Sequence, residues 1–314
     1  VSLRLTNSEA SGWRRCRRKW YLGTYRRLAP DKGPEFHRPL SIGSRFHEVL
    51  ASYYQPGVYG EPEYAMQILE ATTQTDLILH PTLEDEILKE DALVTAMVEG
   101  YFEWLAEEGA DMDLNVIASE SEMEQPLIDG ATILSKLDVR VERLSDKKRG
   151  NLEHKSVGSL TEPVRKLQVD TQLLTEHLVE FLHLVDEGKV ENRAEFVLYN
   201  MARKVKRTAT AKPPFYARHE VRHNVDELRS HWRHYAQQAR EIMRATELLD
   251  SGIEHHDVCY PNPTGDCHWE CPFTGLCLTG MMDDGSDWEA AVAADYKQVD
   301  PLERYVSQGV DSKG

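Results

Sequence analysis

The stretch SKLDVRVERLSDKKRGNLEHKSVG, Ser135 to Gly158, decides the fold of this chain. Leu137, Val139 and Val141 alternate with polar residues, the period of a strand with one buried face. The polar run Ser145 to Gly150 reads as a turn, and LEHKSV beyond it as the partner strand. Residues two apart on a strand share a face, so Glu153 and Lys155 project together, and Asp138 can face them from the neighbouring strand. Two adjacent carboxylates are hard to keep ionised unless a cation neutralises them. A divalent cation does so, and hard oxygen ligands suit Mg²⁺ or Mn²⁺. Beside such a cation Lys155 would orient or help deprotonate a water, or balance charge on a pentavalent phosphorane, the chemistry of metal-assisted phosphodiester hydrolysis. Acid-x-Lys triplets are also common on exposed strands, so the pattern alone does not decide.

Working outward, residues 114–118, 122–128, 131–143 and 150–155 are predicted as consecutive strands, with Asp129-Gly130 as a hairpin turn. Upstream, helices are predicted over 7–28, 42–55, 62–78 and 84–108, with a loop from Pro30 to Pro39. Downstream, a helix over 163–186 precedes strands at 194–201 and 216–222 and a long amphipathic helix at 225–251. The stretch after Met281 is acidic and expected to be loosely packed. The fold class is α/β, a mixed sheet flanked by helices. Four regions are expected: 1–110 helical, 111–258 the core, 259–280 a cysteine loop and 281–314 an acidic tail.

Cys16 stands near the start, while Cys267, Cys271 and Cys277 lie in CHWECPFTGLC. Three cysteines so close form a ligand set that needs a fourth member, and a distant thiolate would complete it, which suggests an iron–sulfur cluster stapling the ends of a domain. Cys259 is a nearer candidate, and Cys259, Cys267, Cys271 and Cys277 could instead hold zinc. Five cysteines with no visible secretory signal argue for a reduced, cytoplasmic setting. No apolar run approaches a membrane span.

The net charge of −16 argues against a nucleic-acid partner, yet its distribution does not. Residues 1–50 hold eleven Lys and Arg against four Asp and Glu, including RRCRRK, Arg14 to Lys19, and a second basic run is ARKVKR, Ala202 to Arg207. Either run could track a phosphate backbone, or lie on a solvated helix face. Trp13, Trp20 and Tyr21 beside the first run could stack on bases or simply pack.

Four features taken together resemble the RecB-like branch of the PD-(D/E)XK nuclease superfamily: SGWRRCRRKWYL around Cys16, Gly43 and His47 of a G-x-x-x-H in IGSRFHEVL, Asp138 with Glu153 and Lys155, and the terminal cysteine triplet. The resemblance implies a restriction-endonuclease-like core. It implies His47, Asp138, Glu153 and the backbone carbonyl of His154 as ligands of Mg²⁺ or Mn²⁺, and Lys155 as the catalytic lysine. It also implies a structural [4Fe–4S] cluster on Cys16, Cys267, Cys271 and Cys277. The branch carries a Q-x-x-x-Y motif after this pair. Here Gln172 fits, but Glu176 stands in the tyrosine's place; Gln168 is an alternative start, and Glu122 would correspond to a further acidic residue upstream. The cysteine spacing, x3 then x5, also departs from the branch's commoner x2 then x5.

The implied activity is that of a metal-dependent DNA exonuclease acting on single-stranded DNA or DNA ends. The family resemblance would place it beside recombination or CRISPR-adaptation proteins, in a prokaryotic or phage-infected cell. No G-x-x-x-x-G-K-[ST] loop is present, so any unwinding would come from a partner. The competing readings are a non-catalytic DNA-binding or assembly protein on the same fold, and a zinc-knuckle protein.

Overall fold

The computed structural model describes residues 2–31, 38–189, 194–208, 210–277 and 280–305. In chain order the first elements are β1 (Leu3–Thr6), α1 (Asn7–Arg15), α2 (Arg17–Trp20), a π-helical turn (Tyr21–Tyr25), β2 (Leu28–Pro30), α3 (Arg38–Tyr53), α4 (Pro62–Leu79) and α5 (Glu84–Glu108). The centre holds β3 (Leu114–Ile128), β4 (Ala131–Arg143), β5 (Arg149–Val157), α6 (Thr161–Val164), α7 (Thr171–Asp186), β6 (Ala194–Arg203), β7 (Tyr216–Val221) and α8 (Val225–Asp250). The end holds α9 (His255–Val258), α10 (Cys267–Glu270), α11 (Thr274–Cys277), α12 (Trp288–Asp295) and β8 (Tyr296–Gln298). The expected loop from Pro30 to Pro39 falls largely outside the described residues, as does the tail beyond Tyr305.

The chain divides into two compact units, one of Val1–Glu35, Glu124–Ser135 and Ser230–Gly314, the other of Phe36–Met123 and Lys136–Arg229. The second unit is a mixed α/β layer structure. Strand β4 runs antiparallel to β5, β5 parallel to β6, and β6 antiparallel to β7. The β5–β6 pair is parallel because α7 crosses between them. Against one face pack Phe46 and Leu50 of α3 and Met97, Val98 and Tyr101 of α5, meeting Val139, Val141, Leu152 and Phe196. A smaller cluster of Leu173, Val197, Tyr199 and Met201 lies apart from it. Arg140 of β4 donates to both carboxylate oxygens of Glu180 on α7, at 2.7 and 3.0 Å. Glu180 is fully buried, so removing Arg140 would strand a charge at a cost of about 3–5 kcal/mol. Gly150 admits no side chain, because a Cβ there would sit 2.3 Å from the Phe196 ring.

Several elements differ from the sequence expectation. The predicted strands 114–118 and 122–128 are one strand, β3, with Glu120 at φ 52°. The predicted helix 163–186 breaks at Asp170, whose carboxylate caps α7 by accepting the Gln172 and Leu173 N–H groups. The predicted helix 7–28 breaks at Cys16, which is extended, with φ −163° and ψ 118°. The acidic stretch, expected to be loose, forms α12 and β8 as far as it is described, and buries Met282, Val292 and Tyr305. Strand β8 pairs antiparallel with β2.

In the first unit, β1 runs parallel to the start of β4, Leu3 beside Ala131 through Thr6 beside Leu134. Trp13, Trp20 and Tyr21 are buried, so packing, not base stacking, accounts for them. The Trp13 indole donates to Glu241, and its ring lies under the Arg17 guanidinium at 3.8 Å. Arg18 is buried and donates twice to Asp283, while Arg26 donates twice to Glu289. Within the basic run read as a possible phosphate track, Arg15, Arg17 and Arg18 are therefore engaged with acids of their own unit. The second run is braced too: Arg203 donates to the Lys212 and Pro214 carbonyls, and Arg207 pairs with Glu103.

The Trp20 indole donates to Glu9 at 2.9 Å. Burial pushes the Glu9 carboxyl up to about 7 despite that bond. A raised acid binds its proton more tightly folded than unfolded. Glu9 therefore costs no stability below the ordinary carboxylate range, and an increasing amount as pH rises toward 7. Glu9→Gln, which keeps the acceptor and cannot ionise, is expected to raise stability at pH 8 by about 1–2 kcal/mol and leave it unchanged at pH 4.5. Chemical denaturation at the two pH values checks this. An equal effect at both would contradict it.

Candidate active site

The β4–β5 ladder ends at Val139 opposite Leu152. One step beyond, Asp138 and Glu153 face each other, and the Asp138 carboxylate accepts the backbone N–H of His154 at 2.8 Å. Helix α3 brings His47 to the same carboxylate, Nδ1 to Oδ2 at 3.4 Å. Gly43, one turn earlier, lies against β5, where a Cβ would make an ordinary 3.4 Å contact with Ser156 Oγ. Glu153 is 1% exposed and ion-paired with Lys155. Gln172, in the first turn of α7, accepts from Lys155 Nζ at 3.3 Å and donates to Glu153 Oε1 at 2.7 Å. Its amide nitrogen also donates to Glu176 Oε1 at 2.8 Å.

His47, Asp138, Glu153, Lys155 and Gln172, far apart in sequence, thus converge. The His154 side chain turns to the opposite face of β5, where Asn200 Nδ2 meets its Nδ1 at 3.0 Å. Arg218 donates to Asn200 Oδ1, which fixes the amide and leaves the His154 proton on Nε2. Gln168 donates to the Arg222 carbonyl, away from this group, and Glu122 is exposed on β3. Glu176 is the participant that sequence reasoning passed over. Its spacing of four from Gln172, on one helix face, was the available signal.

Burial disfavours charge throughout the site. Burial and the Asp138 charge push the Glu153 carboxyl up to about 7. Burial would raise Asp138 as well, but the His47 bond and the nearby positive charges hold it below the ordinary range. Burial and the Glu153 charge lift Glu176 well above that range. Burial would lower Lys155, yet the Glu153 and Asp138 charges hold it above the usual lysine range.

Three carboxyl groups crowded together suit a hard divalent cation. Among the described residues no three His, Cys, Asp or Glu side chains stand in ready ligand geometry. Asp138 is spent on His47 and His154, and Glu153 Oε1 on Lys155 and Gln172. Glu153 Oε2, however, is buried with no hydrogen-bond partner, as an acceptor awaiting a cation would be. The donor set fits Mg²⁺ or Mn²⁺.

In the first unit, Cys16, Cys267, Cys271 and Cys277 line one pocket with Arg18, Lys19, Leu22 and Phe273. The break at Cys16 turns its side chain out of the helix, and its sulfur accepts the Asn262 N–H at 3.3 Å. The Cys267 sulfur accepts the Thr264 N–H at 3.2 Å, and Arg18 Nη1 lies 3.9 Å from the Cys277 sulfur. Cys259 is fully buried and does not line the pocket; burial pushes its thiol up to about 11.

A sequence model of the PD-(D/E)XK nuclease superfamily matches residues 4–278. No curated protein matches. Among solved structures, SSO0001 is similar at 16% identity over 66% of this chain and 79% of that one, with a TM-score of 0.27. A protein from Eubacterium rectale named "Putative exonuclease" is similar at 11% identity over 75% of this chain and 91% of that one, with a TM-score of 0.34. Among the described residues no helix is long and apolar enough to cross a membrane.

Proposed function

Because this chain belongs to the PD-(D/E)XK nuclease superfamily, we propose that it is a metal-dependent DNA exonuclease of the RecB-like branch, with its active site at the end of the β4–β5 pair. The observation that carries the reading is the convergence of Asp138, Glu153, Lys155, Gln172 and His47 on one point, with Glu153 Oε2 left unpartnered. His47, Asp138, Glu153 and the His154 carbonyl would hold Mg²⁺ or Mn²⁺. That cation, when bound, supplies Lewis-acid polarisation and an acidified water.

The chain's own residues do the rest. Hydrolysis joins a water oxygen to phosphorus and breaks one P–O ester bond, and the departing oxygen takes up a proton. Lys155 donates to Glu153 and to Gln172, so its ammonium is fixed in place with one N–H left for the phosphate. There it offsets the charge that gathers on the phosphoryl oxygens. Gln172 holds Lys155 and Glu153 in mutual register.

Cys16, Cys267, Cys271 and Cys277 would hold a [4Fe–4S] cluster of structural role. Their shared pocket supports this, as do the N–H groups aimed at the Cys16 and Cys267 sulfurs. Such an enzyme suits the processing of DNA ends in recombination or CRISPR adaptation.

The test compares linear single-stranded DNA with a covalently closed circle of the same sequence in Mg²⁺. The linear form is expected to be degraded to short products and the circle spared. Equal cleavage of both would replace exonuclease with endonuclease.

A further inference from the structure

We infer that Glu176 is a positioning residue of this site, holding the Gln172 carboxamide in the one orientation that turns its oxygen to Lys155 and its nitrogen to Glu153. The inference rests on the reading of Asp138, Glu153 and Lys155 as the nuclease site. A carboxamide has two N–H hydrogens and one carbonyl oxygen. All are engaged here: one hydrogen reaches Glu153 Oε1 at 2.7 Å, the other reaches Glu176 Oε1 at 2.8 Å, and the oxygen accepts from Lys155 at 3.3 Å. The flipped amide would turn its N–H groups against the Lys155 ammonium, a repulsive contact, and would give up both carboxyl oxygens as acceptors for those hydrogens. Glu176 makes the difference between a carboxamide held at both hydrogens and one able to swing about a single bond.

Glu176 is itself well anchored. It is 1% exposed on α7, and Asn151 of β5 donates to its backbone carbonyl at 3.2 Å. Asn151 is two residues from Glu153 and shares its strand face, so one stretch of β5 fixes both ends of the relay. Glu176 occupies the place where the resembling branch carries a tyrosine, so this chain meets the site's need for an acceptor with a carboxyl group.

Glu176→Met fills similar volume and removes the acceptor. It is expected to lower kcat about 10-fold with KM for DNA within about 2-fold, the signature of an interaction that matters in the transition state. Glu176→Gln keeps a carbonyl oxygen at the same place and is expected to lie within about 3-fold of wild type. In a Gln172→Ala background Glu176→Met should cost nothing further, because the residue acts through Gln172. A full additional loss in that background, or a raised KM at unchanged kcat, would overturn the inference.

A second measurement is independent of cleavage. In protein labelled with ¹⁵N at glutamine side chains, both Gln172 amide protons are expected to exchange slowly in wild type and rapidly in Glu176→Met. Rapid exchange in wild type would overturn the positioning role. Slow exchange in a wild type that cleaves nothing would instead overturn the nuclease reading, while upholding the hold of Glu176 on Gln172.

Discussion

Lys155→Ala is expected to lower metal-dependent DNA cleavage by at least about 10²-fold, leaving a folded protein. The substitution removes the ammonium that pairs with Glu153 and donates to Gln172. Nothing else among these contacts supplies a positive charge on that face of β5. Breaking a buried ion pair ordinarily destabilises by about 3–5 kcal/mol, because the remaining charge is stranded. Here the cost is smaller, since Lys155 is 31% exposed and the Glu153 carboxyl, already pushed up to about 7, can take a proton. A thermal melt therefore accompanies the rate measurement, with rates read well below the variant's melting midpoint. Full activity in folded Lys155→Ala would remove the lysine from the mechanism.

The second large effect concerns the cysteines. Anaerobically prepared wild type is expected to be brown and to carry iron. Cys16→Ser should lose the colour and at least about 10-fold of the iron, and melt lower, because binding of such a group is coupled to folding. Cys259→Ser should keep both, since Cys259 is buried outside the pocket that the other four line. The distinction is sharp because Cys16 and Cys259 enter through different elements: one at the break between α1 and α2, the other at the C-terminal end of α9. Iron retained in Cys16→Ser and lost in Cys259→Ser would make Cys259 the fourth ligand. Zinc in place of iron would overturn the cluster itself.

What could be read in the sequence was what depends on short-range pattern. The two-residue period around Asp138 and Glu153, the polar turn between them and the Asp129-Gly130 hairpin are local features, and the β3, β4 and β5 meander follows them. The pairing of Glu153 with Lys155 followed from strand parity alone. What escaped depends on partners far away in the chain. Leu3 to Thr6 is too short to read as a strand until Ala131 to Leu134 is beside it. The break at Cys16 interrupts a run with helical spacing, and Asn262 meets its sulfur from the other end of the chain. Whether the first run was a phosphate track or a solvated face stayed open because Glu241 and Asp283, the partners of Arg17 and Arg18, lie more than two hundred residues away. Glu176 read as a missing tyrosine, since its worth appears only when Gln172 is seen between two carboxyl groups.

The most direct test of the central claim is digestion of end-labelled single- and double-stranded DNA by the purified chain with Mg²⁺ or Mn²⁺, against the same reaction in EDTA. Progressive loss of label with metal, abolished by EDTA and absent in Lys155→Ala, is the expected result. Intact DNA under every metal condition would contradict it, and would leave a DNA-binding or assembly protein on a nuclease fold.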